Sequence, residues 1–273
     1  MPSPAPTPDI SLKPRLDRLY RFYNSRRWVH PDPLEFLYHY PELKDREIAG
    51  LIAASLAYGR VDQILKSVSA VLGKMGPSPH AFLTRSSAGV LERVFRGFRY
   101  RFTTEAELIL LFTGIKQVLE TYGGLYACFL EGVNPGDPTT LSGLSFLARA
   151  LRKPFGGPNS LVPDVSGGSA CKRLNLFMRW MVRKDAVDPG GWDRVSPARL
   201  IIPLDTHMYR LCTRLGLTYR KNPDMAAAKE ITRAFGHISP KDPVQYDFAL
   251  TRLGIRKDGE MEGFLDRCRP LEP

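Results

Sequence analysis

The chain has 273 residues, 43% of them hydrophobic, with 39 Lys and Arg against 28 Asp and Glu and a formal net charge of +11. That apolar content excludes an intrinsically disordered chain and fits one large domain or two small ones. No run of about 18 apolar residues occurs, and the opening MPSPAPTPDI has neither the basic start nor the apolar stretch of a signal peptide. A soluble cytoplasmic protein with no membrane partner is therefore expected.

In chain order, the first fourteen residues are rich in proline and serine and are expected to form a flexible arm, with one folded region over 15–273. From Arg15 the apolar spacing is helical almost throughout, through Leu16, Leu19, Tyr20 and Tyr23, then Leu34, Leu37 and Tyr38, then Ile48, Leu51, Ile52 and Leu56. Residues 45–72 read as two helices broken around Tyr58-Gly59-Arg60, the first Ala-rich and buried. Further helices are predicted over 105–122, 141–151, 169–182, 206–215, 224–235 and 243–253, separated by Gly- and Pro-rich loops at 132–137 and 153–168. Strand alternation is hard to find and no repeat of fixed period occurs. The predicted class is all-α, with two helical lobes around a cleft.

The basic balance makes an acidic polymer a plausible partner, because clustered cations release counterions when they meet phosphates. Two stretches interleave cations with aromatics, Arg26-Arg27-Trp28 and RVFRGFRYR at 93–101. Such mixtures suit contact with backbone and bases, but a solvated helix face with a few anchoring aromatics is the better reading of these segments alone. The four cysteines, Cys128, Cys171, Cys212 and Cys268, form no C-x-x-C pair. Neither a disulfide framework nor a thiolate metal site is indicated. His30, His39, His80, His207 and His237 have no metal-ligand spacing, so no metal and no cofactor is expected.

The most informative segment runs from Val162 to Leu217. Gly167 and Gly168 precede a helix whose first turn holds Lys172, and a glycine hairpin opening a helix offers free N–H groups to an anion such as a DNA phosphate. Ser169 and Arg173 complete the candidate phosphate-binding set. Lys172, Arg179 and Arg183 also fit a solvated basic stripe along one helix face. Asp205 follows Pro203 and precedes Met208, Leu211, Cys212 and Leu215 at helical spacing, which reads first as an N-cap.

LDTHMYRLCTRLGL, residues 204–217, is similar to the V-D-T-H-x-x-R-x-x-x-R-L-G-L stretch of the helix-hairpin-helix DNA glycosylases. The resemblance implies an all-α glycosylase-like domain with its helix-hairpin-helix region at about 160–183, a catalytic aspartate at Asp205 and a nucleophilic lysine at Lys172. The spacing between these two looks more like the archaeal 8-oxoguanine glycosylase branch than the endonuclease III type. The implied activity is a bifunctional DNA glycosylase and abasic-site lyase of base excision repair, acting as a nucleoid-associated monomer on double-stranded DNA that carries an oxidised base such as 8-oxoguanine. Over its length the chain also resembles the bacterial domain-of-unknown-function family 2400, which brings no biochemistry. The usual hairpin glycines are replaced by Pro163-Asp164-Val165-Ser166-Gly167-Gly168, and the four clustered C-terminal cysteines of the iron–sulfur branch are missing, so no cluster is expected.

A lysine amine attacks a sugar C1′ only when neutral, and Arg173 beside Lys172 would help depress its pKa, while a nearby carboxylate can accept its proton or stabilise cationic character on the sugar. A target base must leave the stack for a pocket with aromatic faces and polar edges. Candidates for that pocket are Tyr58 and Arg60, where the superfamily usually carries a glutamine, and Asp247, which matches a base-contacting aspartate of the archaeal enzymes. For Asp247 an ordinary role at the start of a helix remains open. Phe177 and Trp180 read as core, and His207 as a support for its turn. The competing reading is a non-catalytic DNA- or RNA-binding protein on the same scaffold.

Overall fold

A computed structural model describes residues 12–157, 159–255 and 263–264. The described residues begin in helix α1, Leu12–Tyr23, which takes in the last three positions expected to belong to the Pro-rich arm. Pro14 is tolerated there because the first turn of a helix needs no N–H from it. Residues 1–11 of the expected arm lie outside the described residues, as does Cys268.

Two short 3-10 helices, Arg26–Trp28 and Pro33–His39, lead into α2, Leu43–Ser55. Helix α2 has no polar stripe. Every residue from Glu47 to Ser55 is buried, and this explains the Ala-rich composition, since only small side chains let neighbours approach a helix from all sides. The break at Tyr58-Gly59-Arg60 falls where expected, with Gly59 at φ 98, and α3 follows over Val61–Met75. Helices α4, Pro79–Arg85, and α5, Ala88–Phe95, are each capped by the serine before them, Ser78 and Ser87.

The RVFRGFRYR stretch is not the solvated helix face that the sequence favoured. Gly97 at φ 75 ends α5, and Arg99–Tyr100 (β1) pairs antiparallel with Thr103–Thr104 (β2), Arg99 opposite Thr104 and Tyr100 opposite Thr103. Thr104 then caps α6, Glu105–Tyr122, in a capping box with Glu107, and Gly123 closes that helix at φ 80. Helices α7, Leu125–Glu131, and α8, Leu141–Arg152, pack against α6.

Helix α9 covers Lys172–Val182, α10 Thr206–Arg214, α11 Met225–Ile238 and α12 Asp247–Ile255. Helix α9 starts three residues later than expected because Cys171, at φ 46, turns the chain before it. Helix α12 starts four residues late because the preceding residues close single turns, Gln245 N–H to Asp242 O and Asp247 N–H to Val244 O. The fold is all-α, its one sheet among the described residues being the two-stranded β1–β2 pair. Helix α9 is the central strut. Phe177 and Trp180 are fully buried, and α2 comes so close that a Cβ on Gly50 would touch Leu37, Phe177 and Met181 at 3.3–3.5 Å. The buried apolar side chains of the described residues form one continuous core. Replacing Phe177 or Trp180 by alanine would cost about 3–5 kcal/mol.

Candidate active site

Helix α9 and the start of α10 meet at a cleft of about 280 Å³ whose lining includes Gly59, Lys172, Asp205, His207, Asp247 and Arg252. Lys172 Nζ lies 3.0 Å from Asp205 Oδ2, with 36% and 28% of the two side chains exposed. Asp205 also caps α10, its Oδ1 accepting from the Met208 N–H at 2.8 Å. The capping and ion-pair roles are thus held by different oxygens of one carboxylate. The cap fixes the side chain while the second oxygen is presented to the lysine. Burial raises the Asp205 pKa, but the Lys172 charge and the Met208 N–H outweigh it and hold the carboxyl below its ordinary range.

The other two cations of the expected stripe, Arg179 in α9 and Arg183 at its C-cap, are not solvated. Arg179 and Arg183 are each only 3% exposed. Arg179 donates through Nε and Nη2 to Asp188 Oδ1 at 3.2 and 3.0 Å, and through Nη1 to Asp247 Oδ2 at 2.5 Å. Arg183 binds the second oxygen of Asp188, and also Asp185 and Asp242 at 2.9 Å each. Burial works against both guanidinium charges, but the surrounding carboxylates outweigh it and raise both pKa values above the ordinary one.

Asp247 belongs to this network. It lines the cleft, but at 3% exposed it meets Arg179 and forms the floor, and burial pushes its carboxyl up to about 6 against the pull of Arg179. The helix-start role is met at the same time, since Asp247 is the first residue of α12.

Tyr58 and Arg60 face away from the cleft lining. The Tyr58 hydroxyl donates to Tyr100 O at 3.0 Å and contacts Thr103 Oγ1 at 2.6 Å, which ties the broken early helix to the β1–β2 hairpin. Arg60 is strongly exposed, pairs loosely with Asp62 at 3.3 Å and lines a separate depression. From this turn Gly59 alone reaches the cleft wall.

Gly167, Gly168 and Ser169 are exposed, but they stand before a left-handed Cys171 rather than at the helix start. Gly168 O accepts from the Met225 N–H, and Ser169 Oγ accepts from the Cys171 N–H. The preceding turn carries the Asp164 carboxylate, bonded to Ser166 and paired with Arg152 at 2.9 Å; these bonds lower its pKa to about 2. The turn that leads into Gly167 and Gly168 thus carries a negative charge. Arg173 is turned inward, donating to Ser55 O and Ser160 O with its guanidinium 5.1 Å from the Tyr58 ring. It is withdrawn from the candidate phosphate set because its donors are taken by backbone carbonyls.

Sequence reasoning missed Arg252 and Asp32. Arg252 donates to the Asp32 carboxylate and to Pro31 O, and both residues line the cleft beside Asp247. The signal was the Asp32-Pro33 pair, where Asp32 caps the short helix through the Leu34 N–H at 3.0 Å. His207 was read as a support for its turn, yet it is exposed and lines the cleft. Among the described residues no three His, Cys, Asp or Glu side chains gather where they could hold a metal ion, and no helix is long and apolar enough to cross a membrane.

Residues 32–256 match the family described as "Protein of unknown function (DUF2400)". The chain belongs to this family. The matched span takes in every cleft residue named above except Pro31, so the Lys172–Asp205 pair lies within what defines the DUF2400 chain and not in an appended segment. No curated protein and no solved structure matches the chain significantly.

Proposed function

We propose that this protein is a helix-hairpin-helix DNA glycosylase with abasic-site lyase activity, in which Lys172 is the nucleophile and Asp205 its carboxylate partner. The observation that carries the reading is the 3.0 Å contact between Lys172 Nζ and Asp205 Oδ2 at the mouth of a cleft of about 280 Å³. Lys172 is the first residue of α9 and Asp205 the N-cap of α10, so two separate elements bring them together. A surface ion pair adds little stability by itself, about 0–1 kcal/mol, which leaves the reach of a carboxylate to a lysine as its more telling property.

Chemically, Lys172 gives a proton to Asp205 or to water and its neutral amine bonds to C1′ of the deoxyribose. The glycosidic bond breaks, its electron pair leaving with the base, which takes up a proton. Asp205 steadies the positive charge that develops on the sugar. Opening of the sugar ring gives an imine on Nζ, and loss of a C2′ proton then expels the 3′ phosphate by β-elimination. The exposed His207 and the carboxylates of Asp32 and Asp247, which line the cleft beside Arg179 and Arg252, supply polar edges for an extruded base. An oxidised purine such as 8-oxoguanine is the proposed lesion, from the resemblance to the archaeal branch.

The test is borohydride trapping on duplexes carrying single oxidised bases or an abasic site. Wild type should give a covalent complex and Lys172→Ala none. Absence of trapping across the panel, with duplex binding retained, would favour the non-catalytic nucleic-acid-binding reading; the inward Arg173 and the Asp164 carboxylate weaken the hairpin as a phosphate site under either reading.

A further inference from the structure

The Arg-rich stretch at 93–101 takes no part in the Lys172–Asp205 cleft, yet the hairpin it enters has two features that its own stability does not require. Phe102, at the turn between β1 and β2, is 75% exposed, more than any other large apolar side chain among the described residues. Arg101 beside it holds φ 51, a left-handed conformation that a non-glycine residue adopts at a cost. Below the turn lies a depression of about 380 Å³ lined by Arg60, Lys66, Arg99 and Arg101. Lys66, Arg99 and Arg101 form no ion pair among the described residues, so their charges face the depression uncompensated.

The hairpin is held rigidly. Tyr58 donates to Tyr100 O, and the Tyr100 hydroxyl donates back to Tyr58 O. Arg101 lies along the Gly59 turn so closely that a Cβ on Gly59 would come 2.7 Å from its Nη1. Gly59 lines the Lys172–Asp205 cleft and its neighbour Arg60 the cationic depression, so one turn of the chain stands between the two. Cations fixed before binding lose little freedom when they meet phosphate, and an exposed aromatic ring offers its open face to a base.

We propose that this hairpin is a DNA-contact element. Phosphates of one strand seat in the Arg60–Lys66–Arg99–Arg101 depression, and Phe102 stacks on a base left unpaired beside the cleft. The proposal rests on the DNA reading above but not on its chemistry. Arg101, with its guanidinium 5.7 Å from the centre of the Phe102 ring, brings charge to the same point.

Fluorescence anisotropy on two labelled duplexes tests it, one fully paired and one with a single unpaired 2-aminopurine. Phe102→Ala should weaken the duplex with the unpaired base about tenfold, change the paired one by under about twofold, and abolish quenching of the 2-aminopurine. Arg99→Ala with Arg101→Ala should weaken both duplexes and reduce the slope of log affinity against log salt by about 1.5–2. Both sets of side chains are exposed, so unchanged thermal melts are expected. Phe102→Ala binding both duplexes as wild type does would overturn the proposal, as would polyglutamate displacing the labelled duplexes from the protein as effectively as unlabelled DNA does. If wild type traps no lesion but Phe102→Ala still loses the unpaired base, the contact element stands without the glycosylase. If Lys172→Ala alone abolishes trapping and Phe102→Ala binds normally, the glycosylase stands without the contact element. No binding of either duplex by wild type overturns both.

Discussion

Helix α9 and its C-cap residue carry three cations that face carboxylates, and they meet two different fates. At its first turn Lys172 pairs with one aspartate at a half-open cleft. Two and three turns on, Arg179 and Arg183 are sunk among Asp185, Asp188, Asp242 and Asp247. The buried group joins α9 to the 185–188 turn and to the start of α12. Its parts cannot be removed singly without stranding a charge. The exposed pair joins only two helix ends and can lose its charge with little structural consequence. One helix thus keeps a fixed scaffold and a free reactive group within three turns of each other.

The sharpest way to break this comparison is to remove Arg179. Arg179→Ala leaves Asp188 and Asp247 buried with fewer cations, and the folding free energy from urea titration should fall by about 3–5 kcal/mol. A loss under 1 kcal/mol would mean that the network is no scaffold. Asp205→Asn is the matching change at the open end. It keeps the cap to Met208, so stability should change by less than about 1 kcal/mol, while base excision should fall at least about a hundredfold because an amide cannot accept the lysine proton. Equal damage to stability and activity would erase the distinction between the two regions.

Glu47 sharpens the contrast from a third direction, as a carboxylate buried with N–H donors and no cation in contact. It accepts from the N–H groups of Leu125 and Tyr126 at 2.8 and 3.1 Å and from Trp192 Nε1 at 3.3 Å. Burial still pushes its pKa up to about 7. Its folded pKa lies above its unfolded one, so the folded chain holds a proton that the unfolded chain releases. The stabilisation is complete below about pH 4.5 and is lost as pH rises through about 7, roughly 3 kcal/mol in all. Urea titrations of wild type and Glu47→Gln across that range should diverge accordingly, and parallel curves would contradict the account. The smallest effect belongs to Tyr58→Phe, which removes the tie to Tyr100 and Thr103. It should cost about 1 kcal/mol in thermal stability and leave the choice of lesion unchanged. A changed lesion preference would return Tyr58 to the base pocket.

Much of this was legible in the sequence because it depends on local pattern. The periodicity at 105–122 located α6 to the residue, and Asp205 announced its cap through Pro203 and the apolar spacing after it. Lys172 and Asp205 were legible as a pair through motif, although their approach is a property of how α9 and α10 cross. What was not legible depended on distant partners. Arg179 and Arg183 look the same in sequence as a solvated stripe, and only acids up to 68 residues away decide that they are buried. Arg173 was expected to face phosphate but finds Ser55 O, 118 residues away. The β1–β2 hairpin is four residues of strand, too short for an alternation to register, and its Phe102 has no core contact to mark it.

The central claim is that Lys172 forms a covalent bond to the sugar of DNA. Reducing the protein with borohydride in the presence of a duplex carrying an abasic site, digesting both polymers and locating the adduct by mass spectrometry tests this directly. The account predicts the deoxyribose remnant on the peptide that contains Lys172, and its loss in Lys172→Ala. An adduct on any other amine, or a wild-type protein that stays unmodified while it binds the duplex, would contradict it.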